Sequence, residues 1–222
     1  MAMRDTPGSK IRSPTQIPHE IQAQVLRRDG HRCCISKMRK IDSTPPPRPL
    51  RQFHNFSTNI SRPGTAEVAL QVAHIIPTSF DPASPDFGNS DATHWYFLNL
   101  ISPSISTHLS PSNFNHPSNL ITLDVGIHQR FGALTLGLEP CYDKQVVDYK
   151  VESIDRINVD FEHPEVRFDP GCGEVYVVMP DHSSEDVTLP DPQLLRIQLA
   201  SVRILCLSGH SEAIERVMDG CI

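Results

Sequence analysis

Asn119-Leu120-Ile121-Thr122-Leu123-Asp124-Val125-Gly126-Ile127-His128 is the stretch on which the reading of this chain turns, together with Val72-Ala73-His74-Ile75-Ile76-Pro77 upstream of it. A short apolar strand ends in one histidine, a loop delivers an asparagine, and a short helix carries a second histidine. In the run from Glu67 to His74, the residues Val68, Leu70, Val72 and His74 share one parity, so an extended strand points His74 to the same side as three aliphatics. Pro77 then ends the pairing. An imidazole titrates close to neutrality, which suits His74 to taking a proton from water. Asn119 is expected to orient that ring, because a carboxamide offers both an acceptor and donors. Asp124 is expected to cap a helix from Val125 to Phe131 that turns His128 back towards the strand, where a neutral imidazole has the chemistry of a metal ligand.

Four local patterns occur in order: Ala73-His74-Ile75-Ile76-Pro77, Asn115-His116-Pro117-Ser118-Asn119, His128-Gln129-Arg130-Phe131-Gly132 and Leu138-Glu139-Pro140. On these the chain resembles the HNH endonuclease-like proteins, most closely their fungal branch. The resemblance continues into Arg28-Asp29-Gly30-His31-Arg32-Cys33 and Leu207-Ser208-Gly209, and so covers most of the chain. It implies an α+β fold with a ββα-metal core, extended by a long insertion, extra strands and C-terminal helices. It also implies metal-dependent hydrolysis of phosphodiester bonds in DNA, with His74 as general base, Asn119 as its orienting partner, and His128 as ligand of a divalent ion, Mg or Zn. Asn115, His116 and Asp124 are further candidates beside the site.

The chain departs from the family pattern in two places. Ala73 stands where well-formed sites carry Asp or His before the base, and Phe131, Gly132 and Ala133 follow the helical His where many carry another ligand. One ligand is little support for a catalytic divalent cation. Two other functions therefore stay open: acid/base chemistry on a small molecule in a biosynthetic pathway, such as a cyclisation or isomerisation, and a non-catalytic binding module whose two histidines are satisfied core residues.

The chain has 222 residues and a formal charge of −6, unevenly spread. Residues 1–62 hold 12 Lys or Arg against 4 Asp or Glu, and residues 63–222 hold 8 against 22. That balance argues against a protein that coats nucleic acid, and leaves an amino-terminal part able to touch phosphate or to serve as a solvated face. The length fits one elaborated domain over 16–222 with a core at roughly 66–132, preceded by a mobile tail at 1–15. The polar start lacks the apolar centre of a signal peptide and no stretch is long enough to span a membrane, so an intracellular protein, cytoplasmic or nuclear, is expected. None of the six cysteines forms a C-x-x-C pair, which favours a reducing compartment and gives no knuckle for zinc.

Along the chain, Ile17, Ile21 and Val25 repeat every four residues and predict a helix over Pro18–Arg28 that Asp29-Gly30 stops. Arg32–Ser36 reads as a short strand, and the proline-rich 43–64 as an exposed loop. Thr78–Ser118 forms the insertion, with a helix over His94–Ile101; His94, His108 and His116 lie within it. Strands are expected over Leu134–Leu138, Val146–Val151, Ile154–Phe161 and Glu174–Val178, with a turn at Gly171-Cys172-Gly173. Asp191-Pro192 starts a helix that Gly209 ends, and Ser211 caps a last one.

Overall fold

The structure is a computed structural model, and it describes residues 17–40, 67–77, 98–109, 113–142, 147–154 and 156–208. The tail at 1–15, the proline-rich segment, His94 and the last helix lie outside the described residues.

Helix α1 (His19–Arg28) turns Ile17, Ile21 and Val25 onto Leu120 and Val72, which makes a small apolar cluster of its own. Gly30, at φ +62°, takes the left-handed conformation that a residue with a Cβ adopts only at a cost, and the chain reverses there. Arg32–Ser36 does not form the expected strand. Cys33, Cys34 and Ile35 are buried in a tight turn that an isolated bridge from Arg32 to Arg39 closes. The turn instead runs beside the later strand, with Cys34 N–H donating to Thr122 O at 2.8 Å.

Two short strands, β1 (Arg39–Lys40) and β2 (Glu67–Val68), pair in parallel. Ala69 breaks the extended run, and β3 (Leu70–His74) pairs antiparallel with β4 (Leu120–Asp124), in a register that sets His74 opposite Leu120. Helix α3 (Val125–Gly132) follows β4 directly, after the single-turn helix α2 (Ile105–His108) and a 3-10 turn (Pro117–Asn119) earlier in the insertion. Residues 98–101 are helical, consistent with the helix expected there. Two strands and a helix thus make one compact unit, and the described part of the chain mixes helix and sheet as expected.

The remaining strands, β5 (Leu136–Cys141), β6 (Asp148–Ser153), β7 (Val166–Asp169) and β8 (Glu174–Val178), form an antiparallel sheet in the order β5-β6-β8-β7. Among the described residues of 154–161 none is in a strand, and β7 takes the sheet edge instead. Leu134, at φ +57°, delays the start of β5 by two residues. Helix α4 (Pro192–Leu207) begins under the Asp191 side chain, which accepts from Gln193 N–H at 2.7 Å. It lies so close on β5 that a Cβ at Gly137 would stand 2.7 Å from Leu199 Cδ1 and 3.2 Å from Leu199 Cα. One apolar core joins this layer to the two-strand unit through Ile75, Ile121, Phe131, Leu136 and Leu194. Lys37 ties them again, donating to Val178 O at 2.6 Å and pairing with Glu165 at 2.9 Å.

Candidate active site

His74 ends β3, where the pairing stops and the chain turns away. Its Nε2 lies 2.8 Å from Asn115 Oδ1. A carbonyl oxygen can only accept, so this contact puts the ring proton on Nε2 and leaves the lone pair on Nδ1, the state of a general base. Burial lowers the His74 pKa below the usual imidazole value, against a smaller opposite effect of the Asn115 hydrogen bond.

The carboxamide on His74 is therefore that of Asn115, and the expected contact with Asn119 is replaced. Asn119 is fully buried and spends every bond on backbone. Its Oδ1 accepts from Ile76 N–H at 2.9 Å, and its Nδ2 donates to Ile76 O and Phe114 O, each at 3.0 Å. It ties the exit of β3 to the residue just before Asn115, and so acts on His74 at one remove. Spacing alone does not separate the two asparagines. The signal that does is the neighbouring sequence, since Asn119 runs straight into β4, whose five residues are all buried.

The same turn is held from the other side by Arg28, fully buried at the end of α1. Its Nε and Nη2 pair with the two carboxylate oxygens of Asp29 at 2.7 and 3.0 Å, Nη1 donates to Pro117 O at 2.8 Å, and Nη2 also donates to Leu120 O at 2.9 Å. Asp29 in turn accepts from Thr122 N–H at 3.0 Å. The bonds satisfy both charges, which is the condition for burying them.

His128 projects from α3 and is half-buried, which lowers its pKa. Its Nδ1 contacts the Gln71 carboxamide oxygen, and Gln71 is a residue the sequence reading did not single out. Nε2 then carries the lone pair. Asp124 caps α3 as expected, accepting from Ile127 N–H at 2.9 Å, and its other oxygen accepts from Ser36 Oγ at 2.6 Å. His116 is exposed and turns onto Ser118, 2.8 Å away, while His108 pairs with Asp191 at 2.8 Å.

His74 and His128 line the same cavity, of about 410 Å³, with Leu98, Phe131 and Gly132 among its walls and Gln198 and Ser201 of α4 opposite. Gln198 is a bolt: its Nε2 donates to Leu136 O at 2.9 Å and to Phe131 O at 3.4 Å, fixing α4 against the end of α3.

Whether these residues suit a resident divalent ion follows from their donors. Asp124 has both oxygens engaged, Ala73 offers none, and among the described residues no three His, Cys, Asp or Glu side chains gather around one point. The described donor set does not fit such an ion.

The two-strand and helix unit thus sets both histidines on one cavity. Residues 33–139 match the sequence model of a family described as HNH endonuclease, which supports an HNH-like assignment of that segment. The segment contains His74, Asn115, Asn119 and His128, and leaves α1 and α4 outside it. No curated protein and no solved structure matches the chain. Among the described residues, no helix is long and apolar enough to cross a membrane.

Proposed function

We propose that the chain is an HNH-type hydrolase of phosphodiester bonds in nucleic acid, of the fungal branch that its motifs resemble. The observation that carries this reading is the pair of imidazoles lining one cavity, each held by its own carboxamide, inside the segment that matches the family. His74 takes the proton of the attacking water on Nδ1. Asn115 keeps that ring in the reactive tautomer and orientation. As the water oxygen bonds to phosphorus, the phosphorus–oxygen bond to the leaving part of the strand breaks and that oxygen takes its proton from solvent; His128 lines the same cavity with its Nε2 lone pair free of the Gln71 contact. Because the donors do not fit a resident ion, no step is assigned to one.

Hydrolysis of DNA by purified wild-type, His74→Ala, His128→Ala and Asn115→Ala proteins tests the reading. Removing a general base costs roughly 10²–10⁴-fold in rate, so His74→Ala is expected to fall in that range, with an unfolding midpoint close to wild type. Burial disfavours the imidazolium form, so the acidic limb of the wild-type rate profile should have its midpoint below pH ~6.5. Asn115→Ala removes a bond that favours the charged ring and should move that midpoint lower still. Equal rates in wild type and His74→Ala would end the proposal.

One observation favours a second reading, acid/base chemistry on a small organic molecule: most residues around the cavity are apolar, and among the described ones no Lys or Arg lines it. Activity on such a compound that needs His74, in a protein inert towards DNA and RNA, would establish it.

A further inference from the structure

Asn115 sits in the middle of a short segment whose two ends are held by residues far apart in the chain. Two positions before it, Asn113 Nδ2 donates to His108 O at 3.3 Å. Three positions after it, Ser118 O accepts from Asp191 N–H at 2.8 Å. The side chains of those two holding residues then meet, with His108 Nδ1 at 2.8 Å from Asp191 Oδ2. An ionised carboxylate only accepts, so the ring donates. This contact closes a circuit of bonds that runs from α2 through 113–118 to the start of α4 and back to α2, and Asn115 lies inside it.

The two oxygens of Asp191 divide the work. Oδ1 caps α4 by accepting from Gln193 N–H at 2.7 Å, and Oδ2 takes the His108 ring. His108 ends α2, where its neighbours Ile105 and Leu109 are buried and fix the backbone from which the ring reaches. The contact itself adds little to stability, because the two side chains are 31% and 20% exposed and water screens them. What it supplies is position. His74 Nε2 meets Asn115 Oδ1 at 2.8 Å, and a shift of about 1 Å would stretch that distance beyond a hydrogen bond. Misplacement on that scale costs as much as about 10²-fold in rate.

We propose that His108 and Asp191 are positioning residues for the reaction at His74: their contact closes segment 113–118 onto the start of α4 and so fixes where Asn115 presents its carboxamide oxygen. This rests on the phosphodiesterase reading, in which His74 is the base. It adds a control over that base from outside the segment that matches the family, since Asp191 lies beyond residue 139.

The experiment follows the His74 ring and the reaction separately in the full chain. The protonation midpoint of His74 is measured by NMR, its signal assigned by its loss in His74→Ala, and DNA hydrolysis is measured on the same proteins. The variants are His108→Leu, which removes the donor, and Asp191→Ser, which keeps a capping oxygen and the main-chain bond to Ser118 but removes Oδ2. Both are expected to unfold in urea close to the wild-type midpoint and to hydrolyse DNA about 10- to 100-fold more slowly. Both should also lower the His74 midpoint, in the direction of Asn115→Ala, because the ring loses a bond that favours its charged form. His108→Asn, whose Nδ2 can donate where the ring Nδ1 does, should restore rate and midpoint. In an Asn115→Ala background, His108→Leu should add nothing to either, as expected of residues that act through one another.

An unmoved His74 midpoint in both variants overturns the inference, even where the rate falls. So does a His108→Asn protein as impaired as His108→Leu, or an effect of His108→Leu that persists in full without Asn115. If His108→Leu does not fold, Asp191→Ser carries the test. Failure of the phosphodiesterase reading shows elsewhere, as a wild-type protein inert towards DNA and RNA, and the His74 midpoints decide the matter of position in that case too.

Discussion

Around the histidines, the polar side chains that fix geometry are mostly uncharged and bonded to backbone or to a ring: Asn119 to Ile76 and Phe114, Asn115 to His74, Gln71 to His128. On the four-stranded sheet they are charged and face one another. Lys150 lies within 3.5 Å of Glu139, Glu152 and Glu174, and Arg203 pairs with Glu139 and Glu152 at 2.9 and 2.6 Å. The sheet's ions are partly exposed and screened by water, so any one can be lost cheaply. The bonds at the site are few, and those of Asn119 and Arg28 are buried, so the two residues hold one turn from opposite sides through groups that water does not replace. Among the described residues no Lys, Arg, Asp or Glu lines the cavity, and the buried Arg28–Asp29 pair is neutralised by its own partners.

Substitutions in the two regions should separate along this line. The largest loss of stability is expected for Arg28→Met, which leaves Asp29 buried without its partner and releases the carbonyls of Pro117 and Leu120. Breaking one side of a buried pair costs about 3–5 kcal/mol, and urea unfolding should show it. If Arg28→Met unfolds at the wild-type midpoint, the turn is not held from beneath as described.

Asn119→Leu comes next. It strands Ile76 N–H and the carbonyls of Ile76 and Phe114, for a loss of about 2–4 kcal/mol at the cost of an unsatisfied buried group. Activity should fall further than stability alone explains, because Asn115 loses its anchor, and the rate at a temperature where the variant is fully folded measures that part. The smallest effect is expected for Arg203→Ala, at most about 1 kcal/mol and shrinking with added salt. A larger loss there would make the sheet's ion network as consequential as the site's neutral one, and the contrast would dissolve.

Much of this was legible in the sequence where one physical cause dominates. Asp191-Pro192 and Asp124 set helix starts by capping chemistry that acts over two or three residues, and both helices begin there. The His74-containing strand was legible from its alternation, although Val72 packs under α1 and Leu70 against the main core. Strand β7 was not, because two of its four residues, Arg167 and Phe168, are exposed at a sheet edge and give no apolar run. The turn at 33–36 has the composition of a strand yet owes its shape to bonds with distant partners, Thr122 and Asp124. Which asparagine meets His74 is a matter of tertiary packing: the sequence pointed to Asn119, and the contact is made by Asn115.

The seating of α4 on Gly137 has one more consequence. Both imidazoles come from the segment ending near residue 139, while part of the enclosure opposite them arrives from a helix more than fifty residues later. The reactive pair and the shape of the opening it serves are thus written in separate stretches of chain. Altering Ser201 should therefore change which molecules are admitted while both rings keep their carboxamide partners, and the reverse holds for Asn115 and Gln71.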